Sequence, residues 1–456
     1  MKKSILTGAA VAALGGLALF GLASCGGDSN TKTAEKQEEG KVLNVRVWND
    51  EFISRFRDYY PEIKSEDKKN EEFTLKNGIK VKFQMTSNQG GAYQQALDQA
   101  LTATNAKADD KVDMFLFEAD YALKYVNSKY TLDVKEVGLT DNDTADMYEY
   151  TKTIAKDSNG KLKGVSWQVT PGLFAYRTDI ADAVLGTHDP DEVQALVSDW
   201  TKFDGVAKQM KDAGYCMLSG FDDAYRVFSN NVSAPLVNKD KKIVIDNQLK
   251  AWIKQTKEYT DKGYNNQTSL WSKDWNAQQT INGNTFGFFF STWGINFTLA
   301  NNAAVKNDAG KNLEGKYRVC YGPASYYWGG TWIAAAAGTD NKATIADIMK
   351  KLTCDATIAE KITRDTLDYT NNQTAMNKLA NDPEYGSAFL GGQNHIKLFA
   401  EAAPKINMDN VSAYDQTINE KLQEAMKDYF VGTVDEETAW NNFYTKVLAA
   451  HAELSR

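Results

Sequence analysis

The sequence predicts an α/β protein of more than one domain, and three observations predict it. Strand-like and helix-like segments alternate from residue 42 onward, one strand is apolar along its whole length, and 456 residues exceed what one hydrophobic core holds. Val42-Leu43-Asn44-Val45-Arg46-Val47-Trp48 alternates as a half-buried strand does, then turns polar at Asn49-Asp50-Glu51, and a helix follows through Phe56 and Tyr59. Gly78 to Phe83 is a second alternating strand, and Tyr93, Ala96, Leu97, Ala100 and Leu101 have helical spacing. Val112-Asp113-Met114-Phe115-Leu116-Phe117 is nearly all apolar, as in a parallel strand buried on both faces. Strand, helix, strand, helix, strand is the order of an α/β unit. Trp167 to Tyr176 reads as extended around Pro171-Gly172. Val193 to Met210 and Leu249 to Lys262 read as helices, Phe286 to Phe290 and Trp332 to Ala337 as buried strands, and Ala413 to Leu454 as largely helical.

Composition narrows the function classes. Hydrophobic residues are 42% and charged residues 25%, which suits a large globular chain and excludes wholesale disorder. The net charge is −8, and an acidic surface repels phosphate backbones, so nucleic acid is not an expected partner. Aromatics are 11%, with 10 Trp and 22 Tyr, enough flat apolar rings to stack on a ligand. Cys216, Cys320 and Cys354 have no close pair and His188, His395 and His451 are scattered, so neither a disulfide framework nor a metal site is expected. No cofactor is expected either.

Residues 1–25 form a targeting segment. Lys2 and Lys3 precede an uncharged apolar stretch from Ile5 to Leu22, which ends in Leu22-Ala23-Ser24-Cys25. This resembles a bacterial lipobox, which implies acylation of Cys25 and a membrane anchor. Acyl chains contribute about 0.8 kcal/mol per buried CH₂, so two or three anchor stably where one is marginal. Residues 26–40 read as a flexible tether, polar and without an aromatic. The expected location is the extracellular face of a bacterial membrane.

The lipobox followed by the strand ending Trp48-Asn49-Asp50-Glu51, then Val112 to Phe115 leading to Glu118-Ala119-Asp120-Tyr121, then Pro171 to Asp179, and finally Phe286 to Gly294 followed by Trp328-Gly329-Gly330-Thr331-Trp332 come in a telling order. Together these four features resemble the extracellular solute-binding proteins of carbohydrate ABC importers, the family that includes maltose-binding proteins. The resemblance implies two α/β lobes, each discontinuous in sequence, joined by hinge strands around a ligand cleft. On that pattern, one lobe takes 41–168 plus 331–368 and the other 170–329 plus 372–456. It also implies a monomer that captures a sugar, an oligosaccharide in particular, and hands it to a permease. Asp368-Tyr369-Thr370-Asn371-Asn372, at the third crossing, lacks the proline frequent there.

A sugar presents C–H faces and a rim of hydroxyls, so its site needs aromatic planes beside carboxylates, amides or guanidinium groups. Trp48, Trp293, Trp328 and Trp332 fall at strand ends or crossings, where α/β sheets place ligands; core packing is the competing role for each. Trp271 and Trp275 are further candidates that could equally cap a helix against its neighbour. Asp50, Glu51, Glu118 and Asp120 follow strands, where an acid binds ligand or caps a helix. Asp223 and Arg226 suit hydroxyl recognition or a salt bridge, and Asn371 sits at the third crossing. Paired acids also invite a glycoside hydrolase, though no nucleophile elbow or phosphate loop accompanies them. A binding protein for a polyamine or peptide is the nearer alternative.

Overall fold

The computed structural model describes residues 39–103 and 107–456. The targeting segment, Cys25 and all but the last two tether residues lie outside the described residues. The first lobe is built on a seven-stranded sheet drawn from separate stretches of chain. Its strands are β1 (Val42–Val47), β2 (Ile63–Asp67), β3 (Glu72–Leu75), β4 (Lys80–Met85) and β5 (Met114–Glu118), followed by β6 (Val165–Ser166). The second lobe contributes β7 (Gly172–Arg177), β8 (Leu218–Gly220), β9 (Asn265–Thr268), β10 (Gly287–Ser291) and β11 (Tyr317–Cys320). The chain then returns to the first sheet as β12 (Thr331–Ala335).

The large sheet runs β2-β3-β4-β1-β5-β12-β6, with β1 parallel to both β4 and β5 and β12 antiparallel to β5. The apolar run of β5 is explained by its two covers. Met114 and Leu116 pack with Val45, Phe52 and Ile333 on one face, while Phe115 and Phe117 pack with Tyr93, Tyr121 and Trp332 on the other. In the second lobe β7 is the centre of a sheet ordered β10-β7-β11, and its side chains likewise feed two cores. Phe174 and Tyr176 face one, Leu173 and Ala175 the other.

One sequence expectation needs correction, and one element went unsignalled. Residues 193–210 are not one helix but two, Pro190–Leu196 and Trp200–Asp212, because the Asp199 carboxylate accepts the Lys202 N–H at 2.9 Å and starts a new helix. Buried Val193, Val197 and Phe203 carry the apolar periodicity across the break and disguise it. The β2–β3 hairpin gave no strand signal, since Ile63-Lys64-Ser65-Glu66-Asp67 is a polar strand at the sheet edge.

Three chain segments cross between the lobes side by side. Val169 donates its N–H to the Tyr369 carbonyl at 2.9 Å and Asn371 returns one to Trp167 at 2.9 Å. On the other flank Trp328 donates to Thr170 at 3.1 Å and Gly172 to Tyr326 at 2.8 Å. The result is a narrow ribbon of three extended strands, with Gln168–Thr370 and Pro171–Tyr327 as its bridges. Cys216, Cys320 and Cys354 are free thiols, and burial pushes the Cys320 thiol up to about 12. No helix among the described residues is long and apolar enough to cross a membrane.

Candidate functional site

A cavity of about 750 Å³ opens between the lobes, within the range of sites for small organic ligands. Its first wall is the carboxyl edge of the parallel strands: Trp48 to Glu51 after β1, Ser87 to Gln89 after β4, and Glu118 and Asp120 at the end of β5. Parallel strands end there with their turns diverging, and the gap takes the ligand. The opposite wall is Trp271, Trp293, Asn296, Phe297 and one face of the helix Asp415–Phe430, whose Gln416, Asn419, Glu420 and Gln423 recur at helical spacing. Gln168, Trp328 to Thr331 and Asp368, from the three crossings, form the floor.

The aromatic groups are arranged as a wall. Trp271 lies nearly parallel to Trp293, at 6.0 Å between ring centres and 24° between planes, and Trp328 meets Trp293 edge-on at 5.3 Å. The Trp293 indole N–H donates to the Trp328 carbonyl at 3.0 Å and fixes the ring. Trp271 is 49% exposed and holds its backbone at φ 66°, a left-handed conformation costly for a tryptophan. Beside them Phe297 is 69% exposed, on a π-helical stretch Ile295–Ala300. Across the cleft Trp48 is half-buried and propped edge-on by Tyr93 at 5.3 Å.

The charged groups of the cavity are mostly acids, set among amides. Glu51 accepts a hydrogen bond from the Gln168 amide at 2.9 Å, and burial, with Asp368 and Asp50 near, pushes its carboxyl up to about 7 against the pull of Arg55. Burial and Asp120 push Glu118 up to about 8, although its carboxylate accepts the Asp120 N–H at 2.9 Å. Asp120, from the first lobe, and Arg226, from the second, form a two-pronged ion pair at 2.8 and 2.6 Å. Asp50 begins the helix Glu51–Tyr59 without a side-chain capping bond, so capping does not occupy it. Arg55 Nε, Asn88 Oδ1 and Asp368 Oδ2 are buried and have no hydrogen-bond partner among the described residues.

Eight sequence candidates meet in this cavity: Trp48, Asp50, Glu51, Glu118, Asp120, Arg226, Trp293 and Trp328. Three do not. Trp332 is 1% exposed, stacked 4° from parallel on Phe117, with its N–H donated to the Thr151 carbonyl at 2.8 Å, so it is a core residue. The Asp223 carboxylate accepts the N–H groups of Ser219 and Gly220 at 2.7 and 2.8 Å and the Trp275 indole at 2.7 Å, which uses it up inside the second lobe. Asn371 accepts from the Tyr148 N–H at 3.0 Å and donates to the Ser166 carbonyl at 3.0 Å, tying the third crossing down. Of the second tryptophan pair, Trp275 is core and Trp271 is cavity wall. Sequence reasoning missed Arg55, Gln168 and the polar face of the helix Asp415–Phe430. Arg55 was within reach of the sequence, one helical turn beyond Glu51. A polar helix stripe looks the same whether it faces water or a ligand.

The raised carboxyls set a pH dependence. Glu51 and Glu118 hold their protons more tightly folded than unfolded, so the stability they contribute is complete below about pH 4.5 and is lost as the pH rises through about 7 and 8. The melting temperature is expected to fall between pH 5 and 8.5, and less steeply in the Glu51→Gln/Glu118→Gln double variant. Equal slopes in calorimetric scans of the two proteins would contradict this.

Among the described residues no group of three or more His, Cys, Asp or Glu side chains is placed to hold a metal ion. Comparison with known proteins finds no curated sequence that matches. Solved structures do match in fold. An extracellular solute-binding protein of family 1 aligns with a TM-score of 0.69 at 17% identity, covering 90% of this chain and all of that one. An ABC-transporter-associated binding protein from B. animalis subsp. lactis, in complex with β-1,6-galactobiose, aligns at 0.64 and 17% identity, covering 91% and 98%. The galacto-N-biose- and lacto-N-biose-binding protein of Bifidobacterium longum, in complex with lacto-N-biose, aligns at 0.64 and 15%, covering 92% and 100%. The family model for bacterial extracellular solute-binding proteins matches residues 70–389, most of the two-lobed fold and much of the cleft wall, and the chain belongs to that family.

Proposed function

We propose that the protein captures an extracellular oligosaccharide between its lobes and delivers it to the permease of an ABC importer. It works as a monomer, without catalysis, held at the outer face of the membrane by acyl chains on Cys25. The observation that carries this reading is the facing of three indoles, Trp271, Trp293 and Trp328, against Trp48 and a rim of carboxylates and amides across one cavity. Indole faces suit sugar C–H patches and the rim suits hydroxyls. The same fold holds β-1,6-galactobiose in the B. animalis protein and lacto-N-biose in the B. longum protein, which supports a sugar here as well.

The glycan docks on one lobe, the ribbon of crossings flexes, and the other lobe closes over it, so contacts made only in the closed form drive closure. Micromolar capture corresponds to about −8 kcal/mol, within reach of two or three stacked rings and a few charge-assisted hydrogen bonds. Titration calorimetry against neutral di- to pentasaccharides, spermidine and short peptides tests the reading. Micromolar binding of at least one glycan is expected, with no reducing ends released on long incubation. Tight binding of spermidine or peptide with no glycan bound would replace the sugar.

A further inference from the structure

We infer that the cleft sorts glycans by charge, admitting neutral ones, favouring those with free amines and rejecting those with carboxylates, with Glu118 as the discriminating group. The inference rests on the sugar reading above and deepens it. Seven carboxyl-bearing side chains line the cavity against two guanidinium groups, among the described residues. Both guanidinium groups already face an acid, Arg226 through two hydrogen bonds and Arg55 through a looser ion pair that leaves its Nε without a hydrogen-bond partner among the described residues. Arg226 forks onto Asp120, and Arg55 sits 3.6 Å from Asp368. A glycan carboxylate seated on Arg226 would have to displace Asp120, leaving that acid buried beside Glu118 without its partner, and one seated on Arg55 would meet Asp368, Glu51 and Asp50.

The remaining features have the same sign. Asp368, in the cavity floor, is 1% exposed, and its Oδ2, 3.6 Å from Arg55, accepts no hydrogen bond among the described residues. Indole faces carry negative quadrupole density, so the Trp271, Trp293 and Trp328 wall attracts an ammonium and repels a carboxylate. Glu118 is faced by Asp120 and Tyr121 from the turn after β5, Glu420 from the helix Asp415–Phe430, Arg226 from the helix Tyr225–Ser229, and Tyr327 from the second crossing. Only one of these five is a cation, and Asp120 holds it. Glu118 therefore keeps its proton near neutral pH, and an ammonium seated nearby would release that proton and pair with the carboxylate.

The test uses pooled neutral di- to tetrasaccharides, pooled glucosamine and galactosamine oligomers, and pooled glucuronate and galacturonate oligomers, each followed by thermal shift and titration calorimetry. The neutral and amine pools are expected to raise the melting temperature, the amine pool more, and the uronate pool to leave it unchanged. Amine binding near pH 7 should release protons, seen as a dependence of the measured heat on buffer ionisation enthalpy. Glu118→Gln should abolish that release and lower amine affinity about tenfold, more than it lowers neutral affinity. Uronates that stabilise as well as the neutral pool would overturn the inference and leave the sugar reading standing, and so would an amine advantage equal in wild type and Glu118→Gln. If no pool stabilises the protein while spermidine does, the sugar reading itself is overturned.

Discussion

Replacing Arg226 with methionine is expected to shift the protein to a more open form and to weaken glycan binding by an order of magnitude or more. The guanidinium is the second lobe's half of a pair whose other half, Asp120, hangs from the end of β5 in the first lobe. Asp120 is 7% exposed in this arrangement. Removing one partner of a buried pair leaves an uncompensated charge and costs about 3–5 kcal/mol; with 18% of the Arg226 side chain exposed the low end applies. Unfolding is not the molecule's cheapest escape. Opening the cleft returns Asp120 to water, so the loss appears as a depleted closed population, and apparent affinity falls in proportion to that depletion. Small-angle scattering should give a larger radius of gyration for Arg226→Met than for wild type. Arg226→Met/Asp120→Asn, which removes the orphaned charge as well, should recover much of the closed form. Identical scattering and affinity in wild type and Arg226→Met would refute the latch.

The pair also shows where sequence reasoning stops. Asp120 and Arg226 are 106 residues apart, and each is a plausible hydroxyl-binding group alone; only the fold reveals that they hold each other. Elements whose signal is local were legible. The strand at β5 is apolar because both its faces are covered, and the helix Glu51–Tyr59 buries Phe52, Ile53, Phe56 and Tyr59 at helical spacing. Cavity-lining residues at strand ends were legible for a related reason, because the carboxyl edge of a parallel sheet is where its turns diverge. The tryptophans were harder. Thr331 lines the cavity and Trp332, its neighbour on β12, packs into the core against Phe117, so a single step along a pleated strand separates cavity wall from interior. Composition cannot resolve that step, since it depends on the register between β12 and β5. The surroundings of Asp223 were hidden for the same kind of reason: three donors converge on it, two from its own turn and one from Trp275, 52 residues away.

Trp293→Ala is expected to lower glycan affinity by about 10- to 100-fold, while Trp332→Phe leaves affinity within about twofold and lowers the melting temperature. The first figure follows from burying a large aromatic face, about 1.5–3 kcal/mol for a side chain taken out of water, since each 1.4 kcal/mol is a factor of ten. Trp293 acts beyond its own surface. Its indole N–H holds the Trp328 carbonyl, and its ring touches both Trp271 and Trp328, so truncation removes one plane of the wall and loosens the other two. Trp332 supplies the contrast because it is equally aromatic and only a few residues from Trp328, yet its ring lies on Phe117 and its N–H is consumed by Thr151. Phenylalanine keeps the stack and forfeits the hydrogen bond, leaving the Thr151 carbonyl without that donor, at a cost of about 1–3 kcal/mol in stability. If indoles contribute only by filling cores, both variants lose stability and neither loses affinity; if they form a sugar platform, the effects divide. Calorimetry on the two variants with the tightest neutral glycan of the panel decides between these outcomes, and equal affinity in wild type and Trp293→Ala would remove the platform.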